Sequence, residues 1–224
     1  MINIENYNRI RKLAGKDITL VAVSKTKPGD DIQALYDLGQ RDFGENYVQE
    51  LVDKEALLPR DIRWHFIGHL QSNKVKYIAA FVHLVHGVDS FKLLKEIDKQ
   101  SFKNNRVIHC LLQMHIAKEE TKFGLDELEL EEVLTQYREA GFKHVNVIGL
   151  MGMASFTDNM DLVRKEFHYL KRVFDQCKQH HPGIDFRILS MGMSSDYPVA
   201  IEEGTNMVRI GSLLFGEREK KPGT

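Results

Sequence analysis

Lys25 stands at the tip of an apolar run, "LVAVSKTKP" (residues 20–28). In water such an amine is an ordinary strand-end cation. Desolvated beside other cations, it titrates low enough to act as an uncharged nucleophile toward a carbonyl. A second group lies near the other end of the chain. "RIGS" (209–212) joins the cation Arg209 to Gly211, which lets the backbone approach a ligand, and to the hydroxyl of Ser212. Successive N–H groups in such a run form an anion nest. Upstream, Ser190, Ser194, Ser195 and Asp196 precede a helix start near Tyr197-Pro198, whose free N–H groups and positive dipole end would face the same spot. The plainer reading makes Ser195 or Asp196 a helix cap and Gly211 a turn residue. An aldehyde carrying a phosphate would satisfy both groups of residues at once.

These residues need a scaffold that brings strand ends together. Eight apolar or β-branched runs recur, at 18–24, 41–46, 62–68, 83–89, 107–116, 145–154, 186–194 and 207–216. Helical segments separate them, and another precedes them near residues 2–15. "GDDIQALYDLG" carries Ile32, Leu35 and Leu38 three apart. "ELELEEVLTQYREAG" places Leu128, Leu130, Val133, Leu134 and Tyr137 along one side. "NMDLVRKEFHYLKRVFDQCKQHHPG" turns Leu162, Phe167, Leu170, Val173, Phe174 and Cys177 inward. The strand runs are continuous rather than alternating, as in parallel strands buried on both faces. Eight βα units predict a TIM (β/α)8 barrel spanning residues 1–224 as one domain, with an extra N-terminal helix and a flexible tail at 217–224. The competing open doubly wound sheet lacks a G-x-G-x-x-G after its first strand. In a barrel, Lys25, Asn46, Ser190 and Ser212 all fall at the rim where strands end, the face that carries sites in this architecture.

Other features narrow the chemistry by exclusion. The 224 residues carry 31 Lys+Arg against 32 Asp+Glu, a formal net charge of −1, so neither nucleic acid nor an anionic membrane is expected as the main partner. The two cysteines, Cys110 and Cys177, are far apart, which suits a reducing cytoplasm and argues against a disulfide framework. "MINIENYNRIRKLAG" lacks the apolar core of a signal peptide, and no run reaches membrane-spanning length. His65 and His69 lie on a strand and its exit, without a third ligand at metal spacing. His180 and His181 are expected in water, and His115 at the end of strand five. The methionines of "GLMGMAS" and "LSMGMSS" are expected to pack the barrel top. Among phosphorylated aldehydes, pyridoxal 5′-phosphate (PLP) is the foremost match, and a sugar phosphate in a Schiff-base aldolase is the competitor.

"VAVSKTKP", "FGENYVQE", "WHFIGHLQSNK", "EETKFGL", "GLMGMAS" and "LSMGMSSDYPVAIEEGTNMVRIGSLLFGER" occur in this order between about residues 18 and 218. Together they resemble the pyridoxal phosphate homeostasis proteins, a family similar to the N-terminal barrel of alanine racemase. The resemblance implies a fold type III barrel carrying PLP as a Schiff base on Lys25. It places the phosphate on Ser190, Gly211 and Ser212, Arg209 close to the cofactor and Asn46 near the ring. His115 stands where the family usually has asparagine, and His69 where proline is common.

Racemases of this fold add a β-rich domain and a tyrosine acid/base supplied across a dimer. This chain ends eight residues after Gly216 on "EREKKPGT", so no covering domain is expected. An arginine near the pyridine nitrogen also weakens the ring as an electron sink. Tyr47 and His115 are the nearest candidates for an opposing acid. The expectation is a monomeric carrier or buffer in PLP homeostasis, without evident catalysis, with apo PLP enzymes as recipients. A racemase-like PLP enzyme is the alternative, and an aldolase a more distant one.

Overall fold

The computed structural model describes residues 2–118 and 123–216. The tail at 217–224 and the first residues of "EETKFGL" lie outside them.

After α1 (Ile4–Ala14), eight strands alternate with helices: β1 (Thr19–Val23), α2 (Gly29–Asp37), β2 (Asp42–Glu45), α3 (Val48–Leu57), β3 (Arg63–Phe66), α4 (Val75–Ile78), β4 (Leu84–Val88), α5 (Phe91–Lys103), β5 (Ile108–Met114), α6 (Glu127–Ala140), β6 (Val145–Gly152), α7 (Met160–His180), β7 (Ile188–Ser190), α8 (Tyr197–Glu202), β8 (Met207–Ile210) and α9 (Ser212–Phe215). Each strand pairs in parallel with the next, and β1 pairs with β8 to close the barrel.

Alternation within the strands builds two cores. Leu20 and Ala22 of β1 face the helices, with Val85, Cys110 and Leu112 from later strands. Val21 points inward and meets Leu84, Leu111, Ile148, Met151 and Met207. Both sets are buried, so the strands read as unbroken apolar runs. Four helices start on side-chain caps: Asn3 for α1, Ser90 for α5, Asn159 for α7, and a reciprocal Asp126–Glu129 box for α6. Gly141 ends α6 in the left-handed conformation at φ 57°.

The structure corrects several sequence expectations. The run 207–216 is not all strand: β8 stops at Ile210, and Ser212–Phe215 turn into α9. Leu128 points to solvent at 77% exposure, since the inward stripe of α6 is Leu130, Val133 and Leu134. On α7, Val163 takes the inward place given to Leu162. His181 is not in water: it is 5% exposed, with Nε2 3.1 Å from Glu131 of α6. Among the described residues no helix is long and apolar enough to cross a membrane, and no cluster has metal-binding geometry.

Candidate functional site

A cavity of about 520 Å³ opens at the C-terminal end of the strands, within the size range of small-molecule sites. Its polar wall includes Lys25, Lys27, Asn46, Ser194, Ser195, Arg209 and Ser212; its apolar wall includes Ile67, Met153, Phe156 and Met193.

The turn that presents Lys25 is built from three elements. The Ser24 hydroxyl donates to Glu45 Oε1 at 2.6 Å. Lys54 Nζ, reaching back from α3, donates to the Ser24 carbonyl, to Glu45 Oε1 and to Glu50 Oε1 at 2.8, 2.8 and 2.7 Å. Glu50 Oε1 also accepts the Thr26 N–H at 2.6 Å. Thr26 sits at φ 64°, where a β-branched residue is strained. Both neighbours of Lys25 are thus tied down, while its half-buried side chain lines the cavity. Burial pushes the Glu45 carboxyl up against the opposing pull of Lys54 and Ser24. Lys54 and Glu50 were not singled out in the sequence, where they look like an ordinary i,i+4 surface pair.

Arg209 is 4% exposed and rises from β8 into the cavity floor. It donates through Nη1 to Ser190 Oγ at 2.7 Å and through Nη2 to the Gly152 carbonyl at 3.1 Å. Burial lowers its pKa to about 10, with the Asp196 charge opposing, so it stays cationic at neutral pH. Ser190 is displaced from the role expected of it. It is fully buried and does not line the cavity, because its short side chain is spent on Arg209 one layer below. Ser194 and Ser195 reach the wall instead, and Ser194 Oγ accepts the Gly211 N–H at 3.2 Å. Gly192, at φ 93°, folds this loop inward so that its carbonyl accepts the Arg209 N–H at 3.0 Å. A side chain there would collide with Ala200.

Two observations test what this cavity suits. Asn46 Oδ1 is buried with no hydrogen-bond partner among the described residues, a vacancy that a ligand donor would fill. The described lining holds three cations and four serine or amide side chains but no carboxylate. That set favours an anion at one end, while Ile67, Met153 and Met193 suit a flat apolar ring. Both fit a phosphorylated pyridine aldehyde. His69, His115 and Tyr47 do not line the cavity. His69 pairs with Asp89 at 3.3 Å and stacks on Phe123 with centroids 4.3 Å apart. Tyr47 is 56% exposed at the start of α3, on a separate shallow groove.

The sequence model of the family described as alanine racemase, N-terminal domain, matches residues 4–219. A pyridoxal phosphate homeostasis protein of Aquifex aeolicus is 43% identical over 201 residues, covering 89% of this chain and 87% of the relative. The chain belongs to the pyridoxal phosphate homeostasis protein family. Among solved structures, PipY of Synechococcus elongatus is 34% identical, with TM-scores of 0.89 without PLP and 0.87 with PLP bound, covering 95% of this chain and 99% of that one. Alanine racemase of Clostridium difficile shares the fold at 15% identity and a TM-score of 0.77, covering 97% of this chain and 57% of the racemase.

Proposed function

We propose that this chain binds PLP in the mouth cavity and serves PLP homeostasis by holding and releasing the cofactor, not by turning over amino acids. The single observation that carries the reading is the meeting, in one cavity, of half-buried Lys25, buried Arg209 and the Ser194–Ser195 and Gly211–Ser212 cradle, with no described carboxylate on the wall.

Bound PLP supplies an electrophilic carbonyl carbon and an electron-withdrawing ring. Lys25, steered by the Ser24 and Thr26 anchors, would present its amine to that carbon. Ser212 and the first N–H groups of α9, with Ser194 and Ser195, would hold the phosphate. Asn46 Oδ1 would accept a hydrogen bond from the ring's substituents. Arg209 stays charged, has no proton to spare, and disfavours a second positive charge beside it. That weakens the ring as a sink for carbanion electrons. Ser190 supports Arg209 and does not touch the phosphate. The recipients are apo PLP enzymes, and the setting is the cytoplasm, where buried thiols such as Cys110 and Cys177 persist unpaired.

The test is the visible spectrum of the purified protein, followed by borohydride reduction and peptide mapping. A yellow protein whose label maps to Lys25, lost in Lys25→Ala, supports the reading. A colourless protein that cannot be loaded with PLP, or a label fixed on another lysine, overturns it.

A further inference from the structure

The barrel interior is divided. One part is the apolar cluster around Val21 and Leu111. Through the rest runs an unbroken file of polar side chains contributed by five strands. Arg209 Nη1 donates to Ser190 Oγ at 2.7 Å. Ser190 Oγ lies 3.3 Å from His86 Nδ1, and His86 Nε2 lies 2.9 Å from His65 Nδ1. His65 Nε2 lies 3.1 Å from Asp42 Oδ1. Ser190, His86 and His65 are all at most 1% exposed. Asp42 receives Arg63 in a fork at 2.7 and 2.6 Å and borders a second cavity, of about 300 Å³, at the opposite end of the barrel. The file therefore connects the two ends of the molecule.

Its ends dictate its direction. A guanidinium can only donate, so the Ser190 oxygen accepts from Arg209, and its one proton is available to a His86 Nδ1 that carries none. A neutral imidazole that accepts at Nδ1 carries its proton at Nε2, which meets His65 Nδ1. His65 must then carry its proton at Nε2, and that proton meets the Asp42 carboxylate, which can only accept. Protonating His65 at both nitrogens would reverse the next two links and leave the Ser190 hydroxyl proton with no acceptor in the file. Only the neutral, one-way arrangement satisfies every group, as buried polar networks require.

We infer that this file is a one-way hydrogen-bonded relay by which Asp42, at the far end of the barrel, fixes the orientation of Arg209 in the mouth cavity, with His86 as the positioning residue. Burial, with the Arg209 charge beyond Ser190, keeps the His86 imidazole well below its ordinary pKa, which preserves the neutral link. Burial works against the Asp42 charge, but hydrogen bonds from His65 and Arg63 outweigh it and hold the carboxylate ionised. Arg63, His83, His109 and Arg187 stand around the Asp42 end, and Lys25 and Asp196 around the other. Remove His86 and the Ser190 hydroxyl loses its acceptor, leaving the Gly152 carbonyl as the fixed anchor of the guanidinium.

Two measurements test this, and the second alone rests on the mouth cavity being the PLP site. The first is nitrogen-15 NMR of histidine-labelled protein without added PLP, near neutral pH. His86 and His65 are each expected to carry one proton, on Nε2. Asp42→Asn should turn His65 into a mixture of tautomers, whereas Arg63→Gln, which keeps the carboxylate, should leave both rings as they were. A proton on Nδ1 of either ring, or two protons on His65, overturns the relay. The second is PLP binding followed by its visible band. His86→Leu should weaken binding about tenfold or more and shift the band, while His86→Gln should stay within about threefold of the parent, its amide accepting from Ser190 and donating to His65. Unchanged affinity and band in His86→Leu also overturn the inference. If the parent binds no PLP, the cavity assignment fails and the NMR result alone decides the relay.

Discussion

Lys54 Nζ donates to the carbonyl oxygen of Ser24 at 2.8 Å, so the residue before Lys25 is gripped by a second lysine. Together with Glu50, which holds the Thr26 N–H, this contact fixes a turn whose backbone strain at Thr26 would otherwise relax. Lys54→Met keeps the aliphatic stem but strips Glu45, 0% exposed, of its cation. Breaking a buried pair in this way costs about 3 kcal/mol. Urea unfolding should register that loss, and the variant should bind PLP more weakly than the parent. Unchanged stability and unchanged binding together would refute the clamp.

The phosphate end and the arginine end of the cavity can be separated. Ser212→Ala removes a hydroxyl of the proposed phosphate cradle and should weaken PLP binding, with little effect on pyridoxal. Ser190→Ala acts through Arg209 and should weaken both ligands by a similar factor. In the parent, pyridoxal should bind roughly 100-fold more weakly than PLP, since each hydrogen bond to a charged group contributes about 1.5–3 kcal/mol. Equilibrium binding titrations of both ligands to the three proteins check this. Equal affinity of the parent for the two would show that the cradle does not hold the phosphate.

The sequence carried the architecture because it is written in local patterns. Unbroken apolar runs such as "ITLVAVS" mark strands buried on both sides, and caps such as Asp126 with Glu129 mark helix starts. The same logic placed Lys25, Arg209 and Ser212 at the mouth. It failed where side-chain direction inside the barrel decides the outcome. Ser190 and Ser194 are both serines near the end of strand seven, and nothing local says that the first turns down to Arg209 while the second reaches the cavity wall. His65 and His86 were separated by 21 residues and pair only because β3 and β4 are neighbours. Lys54 was hidden by a helix pattern that usually means a solvated face.

Stability should fall as the solution is acidified below the ordinary imidazole range. His86 is buried with its pKa well below 6.5, so between that value and its folded pKa the unfolded chain takes up a proton that the folded chain refuses. The stability it supports is present above about 6.5 and is lost as pH falls, at about 1.4 kcal/mol per pH unit for one proton. His83, lowered to about 4 chiefly by burial, adds a smaller share because it is partly in water. Asp42 contributes in the same direction only below its ordinary value of 3.8. Urea unfolding at a series of pH values measures the slope directly. A profile that stays flat as pH falls below about 6.5 would show that His86 takes up its proton in the fold as readily as in the unfolded chain.

PLP should leave this protein without being used by it. Turning over an amino acid requires a proton donor and acceptor on opposite faces of the reacting carbon, and a ring able to take up electrons. Lys25 would serve one face, but among the described residues no tyrosine or histidine lines the cavity to serve the other. Arg209, cationic and held by Ser190 and Gly152, opposes the protonation that would make the ring a strong sink. On the proposed reading, Lys25 would hold the cofactor at an open mouth that an incoming amine could reach. PLP-loaded protein should therefore activate an apo PLP enzyme on mixing, while giving no sustained racemisation, transamination or decarboxylation of common amino acids. Chiral chromatography after long incubation with each amino acid, beside a Lys25→Ala control, is the deciding assay. Lysine-dependent turnover well above that control would replace the carrier with a racemase-like enzyme, and failure to activate any apo enzyme would remove the delivery role.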